Sequence, residues 1–273
     1  MLLLLTYFVL SMHLPKALIL LLFFMLPLRS TFAQNRTYHH NLFWGRLVLS
    51  DTLNAKLRWE LWLQQRTQDT QEGTSMFKAP QFSTIWPWLQ YSFTPSTKVA
   101  VSPISYFNSW RLYTGPSDLE AYPVKEFRWV VRLEHQQRLT YFNYFNRYAL
   151  EYRLRDMENN DRYISNYRFR YMARLEKAVK TRYLKRPLTL IVNDEVMFQF
   201  GEAVRNTPSV FDQNRIYAGF SYEVVKNVKV NAGYLYTVLQ RPSGKEFDRI
   251  NTLWVILTFD HLFSQLYRKQ EQP

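Results

Sequence analysis

The chain has 273 residues, enough for one large domain, and no break in composition divides it in two. It contains no cysteine, which excludes disulfides, thiolate metal sites and cysteine nucleophiles, and its seven glycines exclude a Gly-rich repeat or linker architecture. A formal net charge of +13 invites a nucleic-acid partner, but the arginines are spread at strand spacing over many segments and form no single patch or motif, so none is expected.

In chain order, the first feature is the unbroken apolar run Ala17 to Leu28, preceded by Lys16 and followed by a small-residue end at Ala33. Such a run is too short to span a bilayer as a helix and suits the core of a signal peptide. Residues 1–33 are therefore expected to be a cleavable export signal that leaves Gln34 as the new N-terminus, with Met12 the better functional start. A retained anchor helix from Leu2 to Leu28 is the alternative, and Pro15 and Lys16 in its middle count against it. Removing 1–33 takes away Lys16 and Arg29 but no acid, which leaves 33 basic against 22 acidic residues, or +11.

After the signal the pattern has period two, which means strands whose successive side chains face opposite ways. A first strand is expected over Tyr38 to Ser50, and a second where Leu57, Trp59, Leu61 and Leu63 alternate with Lys56, Arg58, Glu60 and Gln64. Phe82 to Thr94 folds back through Pro95-Ser96-Thr97 onto Lys98 to Trp110. This sets Pro87 almost opposite Pro103 and predicts a bulge or bent seam, since proline cannot donate to a ladder.

The clearest stretch runs from Glu126 to Glu176. Phe127, Trp129, Val131 and Leu133 alternate with Glu126, Arg128, Arg132 and Glu134. Tyr148, Leu150, Tyr152 and Leu154 alternate with Arg147, Glu151, Arg153 and Arg155. Tyr167, Phe169, Tyr171 and Leu175 then alternate with Arg168, Arg170, Arg174 and Glu176. Arg170 to Lys180 also reads as a short helix, but the upstream alternation continues unbroken through Leu175 and favours a strand. Leu188 to Phe200, Arg215 to Val224, Val228 to Val238 and Phe247 to Phe259 complete the series, with Lys226-Asn227 as a tight turn.

Segments this long, this aromatic and this rich in arginine fit an antiparallel transmembrane β-barrel with a polar lumen. The chain carries 47 aromatic residues, and Tyr and Trp favour membrane–water interfaces. The expected organisation is a signal peptide (1–33), a barrel in the cell outer membrane reached through the periplasm (34–260) and a charged tail (261–273). Eleven strands are visible, and because single-chain bacterial barrels have even numbers, 12 are expected, with 10 as the alternative.

The inward face should carry Glu126, Arg128, Arg132, Glu134, Arg147, Glu151, Arg153, Arg155, Arg168, Arg170, Arg174, Glu176, Glu195, Arg215 and Glu223, nine arginines against six acids. Asp194 and Glu195 are adjacent on a strand and point to opposite faces, so they cannot form an acid–base pair; Glu195 is expected to meet an arginine such as Arg215. No Gly-Xaa-Ser-Xaa-Gly elbow, HExxH zinc pattern or phosphate-cradling glycine loop is present. His39 and His40 are read as interfacial and structural, and His135 as outward-facing. No catalytic set, metal or cofactor is expected.

Asp194-Glu195 on a strand, Phe211-Asp212-Gln213-Asn214-Arg215 opening the next, Gly219 with Tyr222, and Gly233-Tyr234 before a closing apolar strand resemble the DUF2490 family. The Glu126/Arg128 and Arg153/Arg155 ladders are similar to its middle portion. The resemblance implies a Gram-negative outer-membrane barrel of unassigned activity and supplies no catalytic residues. The expected function is a structural barrel or a narrow, anion-leaning channel for small solutes, with membrane lipid, lipopolysaccharide and small anions as partners. An accessory role in surface assembly or secretion, or a lipid-modifying activity, are the alternatives.

Overall fold

A computed structural model describes residues 36–70 and 75–264. The expected signal peptide and most of the expected tail lie outside the described residues.

Eleven strands follow one another around a closed barrel: β1 Arg36–Thr52, β2 Leu57–Gln68, β3 Ala79–Ser92, β4 Thr97–Ser109, β5 Val124–Arg138, β6 Asn143–Asp156, β7 Ile164–Val179, β8 Leu188–Phe200, β9 Phe211–Val225, β10 Val228–Gln240 and β11 Glu246–Phe259. A four-residue helix, α1 Ser117–Glu120, sits in the loop between β4 and β5. No helix among the described residues is long and apolar enough to cross a membrane.

Sequential neighbours pair antiparallel, each through a long register. The expectation of 12 or 10 strands is corrected to 11, and the correction has a geometric consequence. Strands that alternate in direction close an odd-numbered barrel with a parallel pair, here β1 beside β11. Side chains across this seam keep a nearly constant sequence separation, as a parallel register requires. The Tyr38 hydroxyl donates to Glu246 Oε1 at 3.0 Å, and His40 Nε2 lies 2.8 Å from Asp248 Oδ1. Farther along, Ser50 Oγ donates to the Phe259 carbonyl at 3.2 Å.

The odd count also sorts the connections. The turns at 53–56, 93–96, 139–142, 180–187 and 226–227 share one end of the barrel with the last residue of β11. The connections at 69–78, 110–123, 157–163, 201–210 and 241–245 share the other end with the first residue of β1. The expected irregularity at the two prolines is present, because the register shifts between Ile85 and Leu89 on β3 and again between Ser102 and Ser105 on β4. Residues 164–179 form a strand, not the alternative helix.

Alternation divides every strand between two surfaces. Outward, Ile85, Val131, Leu150, Val192, Phe220 and Leu253 are exposed large apolar side chains contributed by six different strands. Inward, two clusters of large side chains line the barrel. One cluster joins Phe82, Trp86, Trp88, Ala100, Phe107, Val130 and Ala149, with Trp62 against it; a second joins Trp44, Ile191, Tyr217 and Leu235, with Trp254 against it.

Tyr217 fits because two glycines face each other beneath its ring. Gly219 and Gly233 are register partners, and a Cβ on Gly233 would come within 2.7 Å of the ring's Cε2 atom. The Gly219 and Gly233-Tyr234 positions are thus explained by close packing of backbone and ring.

Candidate functional site: the barrel lumen

The interior polar residues fall into a charged wall on β5 to β9 and an aromatic wall on β1 to β4 and β11. On the charged wall each inward carboxylate gathers several guanidinium groups. Glu126, 1% exposed, accepts two hydrogen bonds from Arg153 at 2.7 and 2.8 Å, is bonded by Arg128 and has Arg155 at 3.5 Å. Glu151, fully buried, takes Arg170 at 2.6 Å and has Arg128 and Arg168 at 3.5 Å.

Glu195 holds Arg147 at 2.7 Å and Arg170 at 2.8 Å, with Arg215 farther off at 3.9 Å. The expected Glu195–Arg215 contact is therefore the weakest of its three. Asp212 pairs with Arg168 at 2.8 Å, Glu134 with Arg132 and Lys98 at 3.0 Å, and Glu176 with Arg174. Charge-assisted bonds of this kind are the strong ones, and a buried carboxylate without them would be costly.

Of the 15 residues expected on the inward ladder, 14 have these partners inside the barrel. Glu223 keeps the inward parity of Arg215 and Tyr217 but lies at the barrel's end. It sits where β9 runs into the two-residue turn, faces Arg186 at 3.6 Å with about a third of its side chain exposed, and accepts a hydrogen bond from the Asn227 N–H. Asp194 points outward, opposite to Glu195, and accepts a hydrogen bond from the Asn214 amide at 2.6 Å.

Sequence reasoning missed three features. His40 has a structural role whose partner was not foreseen: it is 2% exposed and joined to the buried Asp248, which Arg241 grips from the other side through both carboxylate oxygens. The two partners are 208 residues apart, and no spacing signal connects them. Asp212 was quoted only as part of a family motif, yet it is a buried member of the charge network. Arg46 and Arg66, on β1 and β2, were not singled out at all. His135 is outward and bonded through Nδ1 to the Thr97 hydroxyl at 2.8 Å.

A cavity of about 1310 Å³ lies between the two walls. Residues from both ends of the barrel border it: Arg58, Lys98 and Thr258 at the short-turn end, and Asp118, Arg205 and Arg241 at the long-loop end. Sixteen Lys or Arg line it against eight Asp or Glu, and counting the submerged Glu126 and Glu151 still leaves six positive charges in excess. Burial would raise the Asp118 carboxyl at the long-loop mouth, but hydrogen bonds from the hydroxyl and N–H of Thr114 hold it below the usual carboxylate range. Among the described residues no group of three or more His, Cys, Asp or Glu could hold a metal ion.

The fold and its interior define a closed β-barrel with a charge-lined, net positive lumen. The chain belongs to the family described as Protein of unknown function (DUF2490), which matches it over residues 41–248. No curated protein and no solved structure matches it.

Proposed function

We propose that this protein is a barrel of the cell outer membrane whose lumen admits small anions, forming a narrow anion-leaning channel. The outward apolar surface supports membrane residence, since lipid requires every backbone polar group to be paired and a closed barrel leaves no free edge. The strands suffice in length: the shortest has 12 residues, and about 9 to 11 tilted residues cross a bilayer. Membrane lipid and lipopolysaccharide are then the contacts of the outer face. The observation that carries the channel reading is the single cavity bordered from both ends with its excess of cations. Fixed charge along a narrow path sets which ion enters.

The test is conductance of the purified protein in a planar bilayer under a salt gradient. Discrete steps with an anion-selective reversal potential are expected. Arg111→Glu with Arg205→Glu, two exposed loop positions that border the cavity, should reduce that selectivity without disturbing the strands. Cation selectivity would sink the reading. A folded protein that leaves the bilayer silent would favour the second reading, a structural barrel closed by its own ion pairs. The near-complete burial of Glu126 and Glu151 is the observation on that side. Neither reading includes a catalytic step.

A further inference from the structure

We infer that the aromatic wall, about half-way along the barrel, is a binding site for an amphiphilic organic anion: a carboxylate or phosphate head joined to a planar or apolar body. The inference deepens the anion reading of the lumen, but it concerns retention and not passage, so it is tested apart from conductance.

Arginines on the charged wall are neutralised by carboxylates. Arg46 and Arg66, which line the same cavity, are not: neither has an ion-pair partner among the described residues. The Arg66 guanidinium makes no hydrogen bond among the described residues and is held between rings, its carbon 3.5 Å from the centre of Trp44 and 4.1 Å from that of Phe82. Arg46 gives two N–H groups to one acceptor, Gln64 Oε1, at 2.9 and 2.7 Å, and lies 4.4 Å over Trp62. Aromatic faces attract a cation but do not cancel its charge.

The unsatisfied groups on the strands of this wall are mostly donors, beside the hydroxyls of Thr67 and Ser102, which can donate or accept. Arg66 Nε, Gln64 Nε2 and the indole N–H groups of Trp44, Trp86, Trp88 and Trp254 are buried without an acceptor, against a single carbonyl oxygen, that of Gln81, without a donor. Trp44 and Trp88 are 3% and 4% exposed, so this surplus of donors is built into the wall. Buried polar groups are ordinarily satisfied, and a concentration of donors with spare positive charge calls for an acceptor-rich anion.

The register sets the reach. Trp44 pairs with Arg66 and Arg46 with Gln64, which makes Arg46 and Arg66 diagonal neighbours on adjacent strands. Diagonal positions lie roughly 7–8 Å apart at their backbones, a span that one carboxylate or phosphate can bridge. Beside them Trp62, Trp86 and Trp88 border the cavity and offer apolar surface to whatever the head carries.

The test uses the intact protein in detergent, with tryptophan fluorescence as the readout and four probes: phenyl phosphate, benzoate, inorganic phosphate and phenol. Phenyl phosphate or benzoate should bind at least ten-fold more tightly than inorganic phosphate or phenol, and the tighter of the two identifies the head group. Equal binding of phenyl phosphate and inorganic phosphate would overturn the amphiphilic site, and so would the absence of any saturable change. The double variant Arg46→Gln, Arg66→Gln should lose the binding while keeping its β spectrum and heat-dependent gel migration. In case that variant does not fold, phenylglyoxal labelling of the unaltered protein gives an independent answer by mass spectrometry. Arg46 and Arg66 should be modified and should be protected by the tighter probe; labelling unaffected by the probe would reject the site. A protein that binds but does not conduct keeps the site and removes the channel, and the reverse result does the opposite.

Discussion

The two walls of the lumen solve the same problem differently. Both bury arginines inside a barrel, but β5 to β9 neutralise theirs with Glu126, Glu151, Glu195 and Asp212, whereas Arg46 on β1 and Arg66 on β2 lie against Trp44, Trp62 and Phe82. A carboxylate consumes the charge it meets, and an aromatic face leaves it available to a third party. One wall is therefore a structural lattice, and the other presents positive charge to the cavity.

Breaking the lattice should have the largest effect. Glu126→Ala removes the shared partner of Arg128, Arg153 and Arg155 and leaves their charges together without the buried carboxylate that joins them. Truncating one side of a buried ion pair costs about 3–5 kcal/mol. Unfolding in urea, followed by the loss of heat-dependent gel migration, should show a loss of that size. A change below about 1 kcal/mol would mean that water reaches Glu126 and that the wall is not a closed lattice.

The next test acts on the same wall from outside. Leu150 is half exposed on β6, between Glu151 and the inward Ala149. If its face meets lipid, Leu150→Arg near mid-height should cost about 2–4 kcal/mol in bilayers. The same substitution in a water-soluble barrel would be nearly neutral, so the outcome also tests membrane residence.

The difference between the walls also explains what the sequence revealed. On β5 to β7 inward residues are charged and outward ones apolar, so alternation assigns both strand and facing, and 14 of the 15 ladder positions lie inside. Glu223 keeps the same parity but lies at the barrel's end, where it meets Arg186 and the turn. On β3 of the aromatic wall both faces carry large apolar side chains. Trp86 and Trp88 point inward while Ile85 and Leu89 point outward from the same strand, and periodicity alone cannot tell those faces apart. Arg46 and Arg66 have no charged residue two positions away on either side, so no ladder marks them.

All 11 strands are legible in the alternation, and the expectation of an even number fails because β1 and β11 lie side by side in parallel. The parallel seam that permits an odd number depends on contacts such as His40–Asp248, which join the two ends of the fold and have no local signature.

The smallest expected effect separates the walls most sharply. Arg170→Met should cost about 3–5 kcal/mol, because Glu151 and Glu195 each lose a close partner. Arg66→Met removes a similar side chain from the opposite wall, and no carboxylate there loses a partner. What it gives up is the attraction of the Trp44 and Phe82 rings, about 0.5–2 kcal/mol. What it recovers is the cost of keeping an uncompensated cation away from bulk water, while the Met side chain retains most of the packing against the two rings. These contributions oppose each other, so the net change should lie within about 1 kcal/mol of zero, measured by the same urea titration as for Arg170→Met. If Arg66→Met were as damaging as Arg170→Met, Arg66 would be a structural member of its wall. Its charge would then be committed to the fold, and the aromatic wall would have none to offer a ligand.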